Sequence, residues 1–148
     1  MEPSAVLALG ASGALFMLGL LTGVWKYRQM WASEDATAHY YVDTAHRASL
    51  LYSFAALVLY QFALVSQLPQ WLELLAVAVT LFFFCFAIGT YVVHGILQDT
   101  ENQFREPHVL GRLELPPVVL QGAMWLLIVG EIGGFAILFA GFVEATLL

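Results

Sequence analysis

The sequence predicts an all-α integral membrane protein whose four transmembrane helices form an up-down bundle. Hydrophobic residues make up 61% of the 148-residue chain and charged residues only 11%, whereas about a quarter of the residues of a typical globular domain are charged. The mean hydropathy is +0.81. Polar segments separate four apolar runs, each long enough to cross a bilayer as a helix. We therefore predict one domain with four spans.

The first span is expected at about residues 5–25. This run of roughly 20 residues matches the thickness of a bilayer at the rise of an α-helix. An acidic residue precedes it, where a secretory signal peptide would carry basic residues, so we expect a retained helix. Gly19 and Gly23 form a Gly-x-x-x-Gly pair, which permits a neighbouring helix to approach closely.

The other spans are expected at about residues 46–68, 71–97 and 117–147. Pro69 closes the second, because proline cannot continue the hydrogen-bond ladder of a helix. A tight turn makes the second and third spans an antiparallel hairpin. We expect the polar segment that follows the third span to remain helical until Pro107. The fourth span exceeds the hydrocarbon thickness, so we expect it to tilt or protrude.

The basic residues predict the orientation of the bundle. All of them lie in or beside the connections between spans one and two or spans three and four. The positive-inside rule assigns such loops to the cytoplasm, which leaves the amino and carboxyl termini on the non-cytoplasmic side. We expect a multi-pass cell-membrane protein, in the bacterial inner membrane, in contact with lipid and without a nucleic-acid surface. The basic residues are Lys26, Arg28, Arg47, Arg105 and Arg112.

The turn at Pro69 brings two histidines to one depth. His46 and His94 lie at nearly equal distances along the chain on either side of it, so both imidazoles are predicted near the cytoplasmic interface. Further polar residues follow at helical spacings of three and four, which place them on one face. The predicted cluster comprises His39, Asp43, His46, Arg47, His94, Gln98, Asp99, Glu101 and Arg105.

This cluster is a candidate metal site, because imidazole and carboxylate are the usual ligands of zinc, iron and copper. Two histidines on neighbouring helices can also hold a b-type haem. That alternative predicts a non-catalytic or redox accessory subunit that binds haem or a metal through His46 and His94. A structural alternative is a solvated helix end, fixed by an Asp43–Arg47 pair, in a subunit of a larger membrane complex. The candidate metal ligands are His39, Asp43, His46, His94 and Glu101.

A resemblance to a known family rests on the start of the second span, RASLLYSF. Arg47 and Ala48 match a motif of the form Arg-Ala-His-x-Asn-x-x-Glu, while Leu51 and Phe54 replace its asparagine and glutamate. His94, in TYVVHGIL, is comparable with a histidine near the end of the third helix in bacterial members. Together with the four-span plan, these residues resemble the MAPEG family, membrane-associated proteins in eicosanoid and glutathione metabolism.

The resemblance implies an enzyme that acts on lipophilic substrates. It implies a homotrimer that binds glutathione between subunits near the cytoplasmic surface and takes an apolar substrate from the lipid. Arg47 would anchor the carboxylates of the cofactor, because a guanidinium offers two donors at once. Arg105 or Arg112 would stabilise the thiolate, and Tyr52, Tyr60 or Tyr91 would donate a hydrogen bond. The cofactor-binding candidates are Arg47, Tyr52 and His94, and the catalytic candidates are Arg47, Arg105 and Glu131.

Glu131 is a candidate on separate grounds. It lies near the middle of the fourth span, where an ionised carboxylate is costly. We expect it to face the protein interior or to be protonated, with a role as a proton carrier or a cation site. The alternative is a buried hydrogen bond to Ser53, Tyr60, Gln61 or Thr80.

Overall fold

The computed structural model describes residues 1–147 and confirms four helices that are long and apolar enough to cross a membrane. A short antiparallel hairpin stands in the connection before the last helix, with Leu110 opposite Leu113. The elements are α1 (Pro3–Ala32), α2 (Tyr40–Val65), α3 (Gln70–Leu97), β1 (Val109–Leu110), β2 (Leu113–Glu114) and α4 (Pro117–Leu147).

The helices pack on two sides of the α2–α3 hairpin. α1 lies along α2 and also contacts α3, whereas α4 packs mainly against α3 and also contacts α2. The buried core is rich in alanine, which lets helix backbones approach each other closely. Its members are Ala5, Ala8, Ala56, Leu59, Ala63, Ala76, Val77, Leu81, Phe84 and Leu138.

The first turns of α1 and α3 lie side by side. The Ser4 hydroxyl donates a hydrogen bond of 3.3 Å to the carboxylate of Glu73, which is 3% exposed. The Gln70 side-chain amide donates to the Glu2 carboxylate at 2.7 Å. These contacts place the starts of the first and third helices at the same end of the bundle, as the predicted up-down order requires.

The glycine pair of α1 lies against α2. A Cβ atom at Gly19 would lie 2.6 Å from a methyl carbon of Leu50, and one at Gly23 would lie 2.9 Å from the His46 ring. A side chain at either glycine would therefore displace Leu50 or His46. The close approach predicted for this pair is made between α1 and α2 of one chain.

The predicted helical extension beyond residue 97 is wrong. α3 ends at Leu97, because Gln98 adopts the left-handed conformation with φ of 48°. The Asp99 carboxylate then accepts a hydrogen bond from the backbone N–H of Gly111, which keeps the loop folded back at the helix end. Glu101 therefore does not continue the helical face that carries His94.

α2 begins earlier and ends earlier than predicted. It begins at Tyr40, where the ring nitrogen of His39 accepts a hydrogen bond from the Tyr41 backbone N–H. It ends at Val65, and Ser66 is its C-cap residue. Pro69 caps the start of α3 and does not terminate α2.

Candidate functional site

A buried histidine–aspartate pair lies at the polar end of the bundle. His94, in the last turn of α3, is 5% exposed, and its Nδ1 lies 2.8 Å from Asp99 Oδ1. The second carboxylate oxygen of Asp99 accepts the Gly111 N–H at 2.5 Å. The Asp99 side chain is itself 6% exposed. Both of its oxygens are therefore used within the protein.

The charge of Asp99 determines which nitrogen of His94 carries a proton. Burial alone would raise the pKa of Asp99, but the hydrogen bonds from Gly111 and His94 outweigh it, and the pKa lies below its ordinary value of 3.8. Asp99 is therefore ionised at neutral pH and can only accept hydrogen bonds. Nδ1 of His94 must donate, so a neutral imidazole presents an unprotonated Nε2.

Tyr41 of α2 holds the pair from the other side. Its ring centroid lies 5.0 Å from that of His94, and the Tyr91 ring stacks on it at 6.0 Å. The Tyr41 hydroxyl accepts the backbone N–H of Gln103 at 2.6 Å. One buried tyrosine therefore contacts the histidine and fixes the loop that follows α3.

A cavity of about 430 Å³ adjoins His94, between α3, the loop and α4. We call it the His94 cavity. Its polar lining residues are Thr90, His94 and Gln103, and the Thr90 hydroxyl is engaged with the Ala87 carbonyl. With Nδ1 bound to Asp99, Nε2 is the ring nitrogen of His94 left for a ligand. The apolar walls include Phe86, Val93, Leu110, Leu115, Val119 and Leu120.

Asp43 belongs to a separate polar group. Lys26 Nζ lies 2.6 Å from one of its oxygens, and Arg47 Nη1 lies 3.5 Å from the other. The predicted Asp43–Arg47 pair is confirmed. Asp43, Lys26 and Glu101 line a cavity of about 410 Å³. The ammonium of Lys26 already supplies the positive charge that a metal ion would bring to Asp43.

The structure does not bring the predicted metal ligands together. His46 Nδ1 lies 2.8 Å from the Gly19 carbonyl of α1, whereas His94 contacts Tyr41 and Asp99. The two imidazoles therefore have different neighbours, and haem binding through them stays a prediction. Within residues 1–147, no three His, Cys, Asp or Glu side chains are grouped so that they could hold a metal ion. This result covers His39, Asp43, His46, His94 and Glu101.

The candidates for glutathione chemistry also lie apart. The Arg47 side chain is 71% exposed on α2, and Arg105 is exposed in the loop after α3. Tyr52 stacks on Phe84 of α3 with ring centroids 4.3 Å apart, so it packs inside the bundle. Neither the His94 cavity nor the cavity beside Asp43 is lined by Arg47 or Tyr52. Their roles in cofactor binding stay predictions.

Glu131 is half-buried on α4, and its Oε1 is buried without a hydrogen-bond partner in residues 1–147. Two of the partners expected for it are engaged elsewhere. The hydroxyl of Ser53 donates to the Leu50 carbonyl, and that of Thr80 donates to the Ala76 carbonyl. The predicted hydrogen bond to this oxygen is therefore not formed.

Sequence reasoning included Asp99 in the polar cluster but not among the metal-ligating, cofactor-binding or catalytic candidates, and it did not select Tyr41. Asp99 lies five positions after His94, a spacing that does not share a helical face. Its carboxylate reaches the imidazole because the chain leaves the helix at Gln98. The sequence signal that could have identified Asp99 was Gly111. A glycine permits the turn that returns the loop to the end of α3.

The fold and this site define a small polytopic membrane protein with a buried histidine–aspartate pair beside an apolar cavity. No protein-family model, curated protein or solved structure matches the chain.

Proposed function

We propose that the protein binds a small lipophilic molecule in the His94 cavity and exchanges a proton with it. The observation that carries this proposal is the 2.8 Å contact between Asp99 and His94 Nδ1 at the wall of an apolar cavity of about 430 Å³. Small-molecule sites are typically mostly apolar cavities of roughly 300–1,000 Å³ with a few polar groups. The proposed class is therefore an acid–base enzyme for a lipophilic substrate.

In this proposal His94 is the acid–base group and Asp99 is a positioning residue. The carboxylate holds the tautomer in which Nε2 has a free lone pair, and it stabilises the imidazolium that forms when Nε2 takes a proton. Apolar walls favour a lipophilic substrate over water. Val93 and Val119 are 41% and 52% exposed, so the substrate can enter from the lipid.

The orientation belongs to the same proposal. We place the histidine–aspartate pair at the cytoplasmic side, with both termini on the opposite side. The support is the distribution of the lysines and arginines, which lie at the end of α1, the start of α2 and the loop before α4. A bacterial inner membrane suits this arrangement.

Nitrogen-15 NMR of histidine-labelled protein in detergent micelles tests the proposal. We expect His94 in the Nδ1-protonated tautomer, with its Nε2 resonance shifting when 1-naphthol is added as a lipophilic hydroxyl donor. Asp99→Asn should weaken naphthol binding by about tenfold, because the imidazole loses its hydrogen bond to a charged partner. His39→Gln, at a histidine outside the cavity, is the matched control and should leave binding unchanged. Equal binding by wild type and His94→Gln would reject the site.

A MAPEG-like glutathione-dependent enzyme is the second candidate function. The observation that favours it is the exposed face of α2 at the motif positions. The side chain of Arg47 is 71% exposed there, and Leu51 and Phe54 are 70% and 60% exposed. A second subunit could cover this face and complete a cofactor site that one chain lacks.

A further inference from the structure

A groove between α2, α3 and α4 holds the carboxylate of Glu131 among apolar walls. It has a volume of about 550 Å³ and shares no lining residue with the His94 cavity. We call it the α4 groove. Its lining includes Val58 of α2, Phe84 of α3, and Glu131, Ile132, Phe135 and Phe139 of α4.

The α4 groove opens outward along the bundle. Val58, Ile132 and Phe139 are 47%, 67% and 47% exposed. These residues lie in helices apolar enough to cross a membrane, so the open side meets lipid chains. A lipophilic ligand can therefore enter from the side without passing through the helix bundle.

The Glu131 carboxylate supplies the groove with a polar atom that lacks a hydrogen-bond partner. Its Oε1 is buried and has no hydrogen-bond partner in residues 1–147. Thr80, another polar lining residue, donates its hydroxyl proton to the Ala76 carbonyl at 2.9 Å. A buried carboxylate is costly unless a donor or a positive charge accompanies it. The terminal torsion of a glutamate is soft, so either oxygen can turn toward an incoming donor.

We propose that the α4 groove binds a lipophilic amine whose ammonium group pairs with Glu131. An ammonium group supplies a positive charge and several donors, which Glu131 lacks. The rings of Phe84, Phe135 and Phe139 cover the apolar body of the ligand, and aromatic faces attract cations. A neutral lipid can at most donate a hydrogen bond and leaves the negative charge unbalanced, and a fatty acid would add a second acidic group. This binding site is independent of the proton-transfer site at His94.

Photoaffinity labelling of the full-length protein in lipid nanodiscs tests the inference. The probe is a long-chain alkylamine that carries a diazirine, and peptide mass mapping locates the label. We expect labelling of α4 around Phe135, with competition by dodecylamine but not by dodecanol. Glu131→Gln should lower the labelling by about tenfold or more, as expected for losing a charge-assisted hydrogen bond.

Two further variants separate the site from general effects on the protein. Glu144→Gln makes the same change at an exposed position on the same helix, outside the groove, and should leave labelling unchanged. Ala136→Trp keeps Glu131 but fills the groove that Ala136 lines, so it should also abolish labelling.

Three outcomes would overturn the inference. The first is equal labelling of wild type and Glu131→Gln, and the second is equal competition by dodecanol and dodecylamine. The third is that wild-type protein is not labelled and that the α4 helices of two chains cross-link to each other. A second copy of the chain would then cover the groove.

Discussion

At the scale of single residues, Asp99 connects the end of α3 to the hairpin that follows it. One oxygen positions His94, and the other accepts the N–H of Gly111. Gly111 has a φ of 62°, a conformation that glycine adopts without strain, and it occupies the two-residue turn between β1 and β2. The same carboxylate therefore fixes both the imidazole and the loop that covers the cavity.

Acid should weaken the fold through Asp99. Its pKa is lowered in the folded protein relative to the ordinary value of 3.8. The stabilisation is therefore fully present above that value and is lost as the pH falls through the lower folded pKa. We expect the unfolding temperature of wild type to fall below pH 3.8 more steeply than that of Asp99→Asn, measured by tryptophan fluorescence in micelles.

Glu101→Gln is the control for this pH dependence, because Glu101 is an exposed acid in the same loop. It should keep the wild-type profile. Superimposable acid profiles for wild type and Asp99→Asn would show that the pair does not stabilise the folded state.

At the scale of helices, the membrane-spanning middle of each helix could be predicted from the sequence. The residues at which a helix ends and its rotation about its own axis could not. The lengths of the apolar runs alone predicted the four spans. The end of α3 depends on hydrogen bonds between Asp99, His94 and Gly111, which no periodicity encodes. Likewise, the count from the Pro69 turn predicts the depth of His46 but says nothing of rotation about the helix axis. The hydrogen bond to the Gly19 carbonyl turns His46 toward α1.

Two adjacent glycines of α4 should respond in opposite ways to a methyl group. A Cβ atom at Gly134 would lie 2.8 Å from the Ala76 carbonyl oxygen, whereas one at Gly133 would meet nothing within 4 Å. Gly134→Ala should therefore destabilise the protein by about 1–3 kcal/mol through overpacking. Gly133→Ala should be neutral, or stabilising by about 0.5–1 kcal/mol through helix propensity.

Denaturant unfolding in micelles, followed by far-ultraviolet circular dichroism, compares the two variants. Gly133→Ala is the matched control, since it adds the same group to the next residue of the same helix. Equal stability of the two variants would contradict the close packing of α4 on α3.

At the scale of the whole molecule, the four helices are unequally covered. In their most apolar windows, 44% of α3 is buried but only 17% of α4. The exposed face of α2 at Arg47 and Leu51 adds a second uncovered surface. The homo-oligomer implied by the MAPEG resemblance stays a prediction, and the α2 face is where a second copy would pack if it holds.

The MAPEG-like candidate predicts a trimer that binds glutathione. Native mass spectrometry from detergent should show three chains, and isothermal titration should show glutathione binding that Arg47→Ala weakens by about tenfold or more, because a charge-assisted contact is lost. Arg28→Ala, at an exposed arginine near the end of α1, is the control. A monomer that does not bind glutathione would exclude this function and leave the His94 proposal intact.

The position of α4 also has a consequence for biosynthesis. Nine of the ten core residues belong to α1, α2 and α3, and α4 packs on the far side of the α2–α3 hairpin. The His94 cavity and the α4 groove are both lined by α4 residues. Neither of these two sites exists until the last helix has left the ribosome and docked, so a chain truncated before α4 would lack both the proton-transfer site and the amine site.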